Sequence, residues 1–321
     1  MVHGYLALLW TLLLVGAFWA ALIIVAMAFF LLRPRKMTDA RALLELNRLT
    51  PADLNLPFEE VAFHILDEQT NQKLKITGWW IPNESAQGKC AIIVHGYSDA
   101  KIGAIAWAPL LRSLGFAILA VDLRGHGDSD FRVCTAGYWE RRDLNQVIDQ
   151  LRAARGESVA QILLFGISMG AAVAAATAAL RDDVSAVILE CPYADFAKAA
   201  AYQAMRLGMP GPFFQNAAIS LAQWIAGCDF SAVRPVELIP ELNCPVLVIQ
   251  ACDDPFLSPE DLQAMRKAVE SRPAGRGHSI FWPLEGVHHV VGFCEDPAEY
   301  RRRIENFIAQ ALPIPAIVCD K

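Results

Sequence analysis

The chain has eight cysteines but no CxxC pair, and Cys90, Cys134, Cys191, Cys228, Cys244, Cys252, Cys294 and Cys319 are too scattered to make a structural zinc site. It has no basic patch and no acidic block either. A net charge of −6 is spread along 321 residues, which gives no surface for gripping nucleic acid. Internal repeats are absent, and with 55% apolar residues the chain can bury a large core without disulfide staples. The cysteines are therefore expected as free thiols. Cys244 and Cys252 flank an apolar run that reads as a buried strand, where a thiol behaves as a small hydrophobe.

The longest gap is in charge. No charged residue lies between Gly4 and Leu32, and a helix of that length rises about 40 Å, more than the roughly 30 Å of a bilayer's hydrocarbon. A tilted transmembrane helix over residues 4–32 is expected. Ala26-Met27-Ala28 resembles a signal-peptide cleavage site, but a signal peptide carries its positive charge before a shorter apolar region. Here Arg33, Arg35 and Lys36 follow a long one. With no Lys or Arg ahead of the helix, the same cluster assigns the following domain to the cytoplasmic side, where reduced thiols belong. Residues 33–57 then read as a juxtamembrane stem, partly helical and closed by Pro51 and Pro57.

Beyond the stem, short apolar runs alternate with helical segments. EEVAFHIL and LKITGWWIP read as an antiparallel pair in which Trp79 and Trp80 pack, and CAIIVHG, FAILAVD, QILLFG, VSAVILE, PVLVIQ and HSIFWPL as further strands. Continuous apolar strands separated by helices indicate a mostly parallel sheet covered on both faces, an α/β architecture. The stretch from about 196 to 234 breaks the alternation with two amphipathic segments around PGPFF. It reads as a small helical cap, which either walls a substrate pocket or packs as filler.

The sharpest local signal is Gly166-Ile167-Ser168-Met169-Gly170, between the strand QILLF and an alanine-rich helix. A serine on a tight strand-to-helix turn needs small neighbours, and the helix start behind it offers amides and positive dipole to a developing oxyanion. Ser168 is the expected nucleophile, and Met169 the expected donor of one oxyanion-hole N–H. A serine hydroxyl also needs a base and an orienting acid. Asp253-Asp254 follows one strand and His288-His289 another, each just past a strand end, where an open α/β sheet gathers its ligands.

Together VHGYS, VDLRGHGDSD, FGISMG, CPVLVIQACDDPF and EGVHHVVGFCEDPAEYRRRIENFI make residues 58–312 resemble the α/β-hydrolase superfamily, in its monoacylglycerol-lipase and serine-aminopeptidase-like branch. The resemblance implies an α/β-hydrolase domain over residues 58–315 with the cap at about 196–234. It implies that Asp254 is the acid and His289 the base, with Asp253 and His288 as alternatives, since Gln250-Ala251 stands where the family has His-Gly. It also implies a second oxyanion-hole N–H from Tyr97, and structural roles for His95 and His126. Asp122, Arg124 and Asp128 read as polar pins of the loop around His126.

The expected activity is hydrolysis of a carboxylic ester, a lipophilic acyl ester at the membrane being favoured, with no metal or organic cofactor. A peptidase or acyltransferase of the same fold is the alternative, and a non-catalytic binding protein a more distant one. Oligomeric state is not legible.

Overall fold

The structure is a computed structural model that describes residues 2–312; the expected domain end at 315 and Cys319 lie outside the described residues. Its centre is one eight-stranded sheet of β1 (Glu59–Asp67), β2 (Gln72–Ile81), β3 (Lys89–Val94), β4 (Ala117–Val121), β5 (Gln161–Ile167), β6 (Val184–Glu190), β7 (Val246–Ala251) and β8 (Ser279–Leu284). The order is β1-β2-β4-β3-β5-β6-β7-β8. β2 runs antiparallel to both neighbours, and the other pairs are parallel.

The inner strands β3, β4, β5 and β7 are apolar on both sides because helices cover both faces, which explains their uninterrupted Ile, Leu, Val and Ala runs. Trp79 and Trp80 are adjacent in β2 and so point to opposite faces; both are buried, under Lys101 and Arg155 respectively.

Between β6 and β7 the cap consists of the helices Phe196–Arg206 and Pro212–Ala226. Asp195 caps the first by accepting from the Lys198 amide at 3.0 Å. Gly227, in the left-handed region at φ 53°, ends the second.

The uncharged N-terminal run forms one helix, Val2–Leu32. Residues 3–19 are exposed to their surroundings, but from Ala20 onward a stripe through Ile23, Ile24, Met27, Ala28, Leu31 and Leu32 turns inward. It packs on Ala218, Ala222 and Ala226 of the cap, whose small side chains allow close approach. The region expected as a stem lies along the hydrolase body: Met37, Ala42 and Leu56 are buried in the core on one face of the sheet.

Candidate active site

β5 delivers Ser168 directly to the start of the helix Met169–Ala178. The turn is so tight that Ser168 sits at φ 55°, ψ −117°, a conformation L-residues rarely adopt. Both flanking glycines are required by contact. A Cβ on Gly166 would lie 2.3 Å from the Gly170 carbonyl oxygen, and one on Gly170 would lie 2.1 Å from that of Val94. The Met169 amide heads the helix, where N–H groups have no intrahelical acceptor.

Ser168 Oγ lies 2.8 Å from Nε2 of His289, whose Nδ1 lies 2.7 Å from Oδ2 of Asp254. Asp254 is buried and held by two further donors, the Phe256 amide at 2.9 Å and Gln250 Nε2 at 3.3 Å. The glutamine that replaces a family histidine thus contributes a hydrogen bond to the same carboxylate. Phe256 also covers the His289 ring, with centroids 4.9 Å apart. Asp253 and His288 are exposed, and His288 Nδ1 lies 3.4 Å from the Asp253 carbonyl oxygen.

After β3, Gly96 brings the chain against the serine: a Cβ there would be 3.3 Å from that of Ser168, so Tyr97 follows beside Ser168. His95 fixes this loop from below. Its Nδ1 donates to the Gly96 carbonyl at 2.7 Å and its Nε2 accepts from the Leu123 amide at 3.0 Å. Burial pushes its pKa down to about 3, so the ring stays neutral and keeps both bonds. His126, also buried and shifted downward by burial, packs against it at 4.8 Å.

Asp122 accepts from the Lys101 amide at 2.7 Å and the Asp128 amide at 3.0 Å, and Arg124 forms paired bonds of 2.6 Å with Asp143. Lys101, Asp143 and Asp67, which also meets Arg124, carry no motif and escaped sequence reasoning.

A second buried network, equally silent in the sequence, lies behind Ser168. The Ser168 amide donates to the Glu190 carbonyl at 2.8 Å, and the Glu190 carboxyl accepts from the Tyr300 hydroxyl. Trp107 Nε1 in turn donates to that hydroxyl at 3.0 Å. Burial raises the Glu190 pKa to about 7. Backbone strain gathers here as well: Ser98, Ser168, Cys191 and Val290 all have φ between 49° and 60°, and Val290, β-branched, directly follows His289.

Ser168 and His289 open into a cavity of about 370 Å³. Its walls come from the cap (Phe196, Leu207, Ile219), from Phe256 and Leu257, and from Met27, Phe30 and Leu31 of the N-terminal helix. Asp254 is the one carboxylate among its described lining residues. Cys191, Asp254 and His289 bring ligand-type atoms within 4.8 Å of one another. Both His289 nitrogens are already engaged, by Asp254 and Ser168, and burial keeps the Cys191 thiol protonated by raising its pKa, so these three groups are poorly suited to hold a metal ion. The seven described cysteines are free thiols.

Residues 86–229 match the family model described as serine aminopeptidase, S33. The protein YqkD of Bacillus subtilis is 26% identical over 221 residues, covering 68% of this chain and 70% of that protein. Rv2307c of Mycobacterium tuberculosis is 28% identical over 134 residues, 41% of this chain and 47% of its own. Among solved structures, the Pyrococcus furiosus esterase Pf2001 superposes with a TM-score of 0.67 at 22% identity, covering 87% of this chain and 99% of its own. The Rhodococcus esterase RhEst1 gives 0.51 at 23%, covering 79% and 99%. The chain has the α/β-hydrolase fold.

Proposed function

We propose that the chain is a membrane-anchored esterase in which Ser168 attacks the carbonyl carbon of a lipophilic acyl ester. The observation that carries this reading is the unbroken line from Ser168 Oγ through His289 to Asp254, at the floor of an apolar cavity. As the Oγ–carbon bond forms, the hydroxyl proton passes to His289 Nε2, and Asp254 holds the ring by its Nδ1–H and stabilises its charge. The tetrahedral oxyanion lies against the backbone N–H groups of Tyr97 and Met169. Collapse expels the alcohol, which takes the proton from Nε2. A water molecule, deprotonated by the same nitrogen, then releases the acid and restores Ser168.

Ester rather than peptide cleavage is supported by the lining. An aminopeptidase needs a carboxylate to grip the substrate's α-ammonium group, and Asp254, the carboxylate among the described lining residues, is committed to His289.

Anchoring is supported by the helix Val2–Leu32, whose exposed residues 3–19 rise about 26 Å, close to the thickness of hydrocarbon. Arg33, Arg35 and Lys36 support a cytoplasmic catalytic domain.

The test is to assay the full-length protein against p-nitrophenyl esters of graded chain length, with a peptide-amide series alongside. The reading expects turnover of esters, rising with chain length, and little of amides. Amide turnover equal to ester turnover would overturn it.

A further inference from the structure

We propose that the last turns of the N-terminal helix form one wall of the acyl pocket, so that the proposed anchor also sets which acyl chains reach Ser168. The substrate class that follows is a single-chain lipid ester. This inference rests on the reading of Ser168 as nucleophile.

The helix does not end at the domain's surface. Its stripe of inward-facing residues begins at Ala20, and Met27 and Leu31, one turn apart, lie half-buried on the cavity while Phe30 stands exposed at its rim.

The helix end is fixed by the same segment that borders the nucleophile. The last carbonyls of any helix lack intrahelical partners. Here the Phe30 carbonyl accepts from the Tyr97 hydroxyl, and the Leu32 carbonyl accepts from the Cys134 amide at 2.9 Å. Just beyond, the Arg35 amide donates to Ser98 Oγ at 3.0 Å and Arg41 Nη1 to the Ser98 carbonyl at 2.8 Å. Tyr97 therefore joins both parts: its backbone borders Ser168, and its side chain holds the helix.

The adjoining wall is tied to the same level. The cap helix Pro212–Ala226 ends beside residues 133–139, where the Ala226 carbonyl accepts from Trp139 Nε1 at 3.1 Å. Both helices thus finish against one loop, pack on each other and each contribute side chains to the cavity. From Ala20 to Leu32 the N-terminal helix rises about 18 Å alongside the cap. An acyl chain leaving the bilayer along this helix is in contact with apolar side chains from the lipid to the serine. About 370 Å³ is near the small end of ligand cavities, suited to one acyl chain rather than two.

The experiment measures labelling rates of Ser168 in the full-length protein by butyl and dodecyl fluorophosphonates, for wild type, Leu31→Trp, Leu31→Ala and Met27→Trp. Filling the pocket with either tryptophan is expected to lower the dodecyl-to-butyl ratio about tenfold or more, and Leu31→Ala to raise it. Two tryptophan positions are used so that one misfolded variant leaves the other to decide. A ratio unmoved in variants that still label, or moved the same way by Leu31→Trp and Leu31→Ala, would overturn the inference alone. A wild-type chain labelled by neither probe would overturn the reading of Ser168 and the inference with it.

Discussion

At the scale of single residues, His289 and His288 differ in surroundings and not in chemistry. His289 is bound on both nitrogens while His288 is exposed, so His289→Ala is expected to lower turnover on the order of a thousandfold and His288→Ala only slightly. Comparison of kcat/KM for the two variants checks this, and a larger loss from His288→Ala would move the proposed base by one position. The sequence narrowed each choice to two adjacent residues. Within those pairs the family resemblance favoured Asp254 and His289; the residues alone did not decide, because neighbouring loop residues point in different directions. Glu190 was not legible at all, since nothing in VSAVILE marks a carboxyl that closes over Tyr300 from more than 100 positions away. Its pKa of about 7 lies above its ordinary 4.5. Between those values the folded chain holds a proton that the unfolded chain has released, so stability falls as pH rises through that window and is level on either side. Glu190→Gln keeps an acceptor for Tyr300 and should flatten this slope; denaturation midpoints at pH 5 and pH 8 measure it. An equal slope in the variant would show that Glu190 does not titrate there.

At the scale of elements, the strand runs were readable because buried parallel strands consist of little but apolar residues, and the structure begins and ends them within a residue or two of those runs. The elbow was readable for a steric reason: two backbone segments pass where a Cβ at Gly166 or Gly170 would stand. Gly170→Ala forces Val94 and the elbow helix apart and should destabilise the fold by about 1–3 kcal/mol. A denaturation midpoint unchanged from wild type would contradict that account. The N-terminal helix hid its second role. Because it is apolar all round, its inward stripe from Ala20 to Leu32 does not stand out against its free face, and nothing in the pattern separates a span from a wall. The stem misled for a related reason: Met37, Ala42 and Leu56 are too widely spaced among polar residues to announce a buried face.

At the scale of the whole molecule, the helix, the loop after β3 and the cap meet around one cavity, so proposed anchoring and proposed catalysis share structure. Carbonate washing should leave the full-length protein in the membrane pellet, because residues 3–19 present an uncharged, mostly apolar surface to their surroundings. Protease added outside intact cells should leave the catalytic domain uncut; digestion would reverse the orientation drawn from Arg33, Arg35 and Lys36. In the proposed scheme Ser168, activated by His289, carries the chemistry. The most direct test is to label the full-length protein with a fluorophosphonate and map the adduct by peptide mass. A single adduct is expected on the peptide containing Ser168, absent in Ser168→Ala and strongly slowed in His289→Ala. An adduct on another residue, or undiminished labelling of Ser168→Ala, would contradict it.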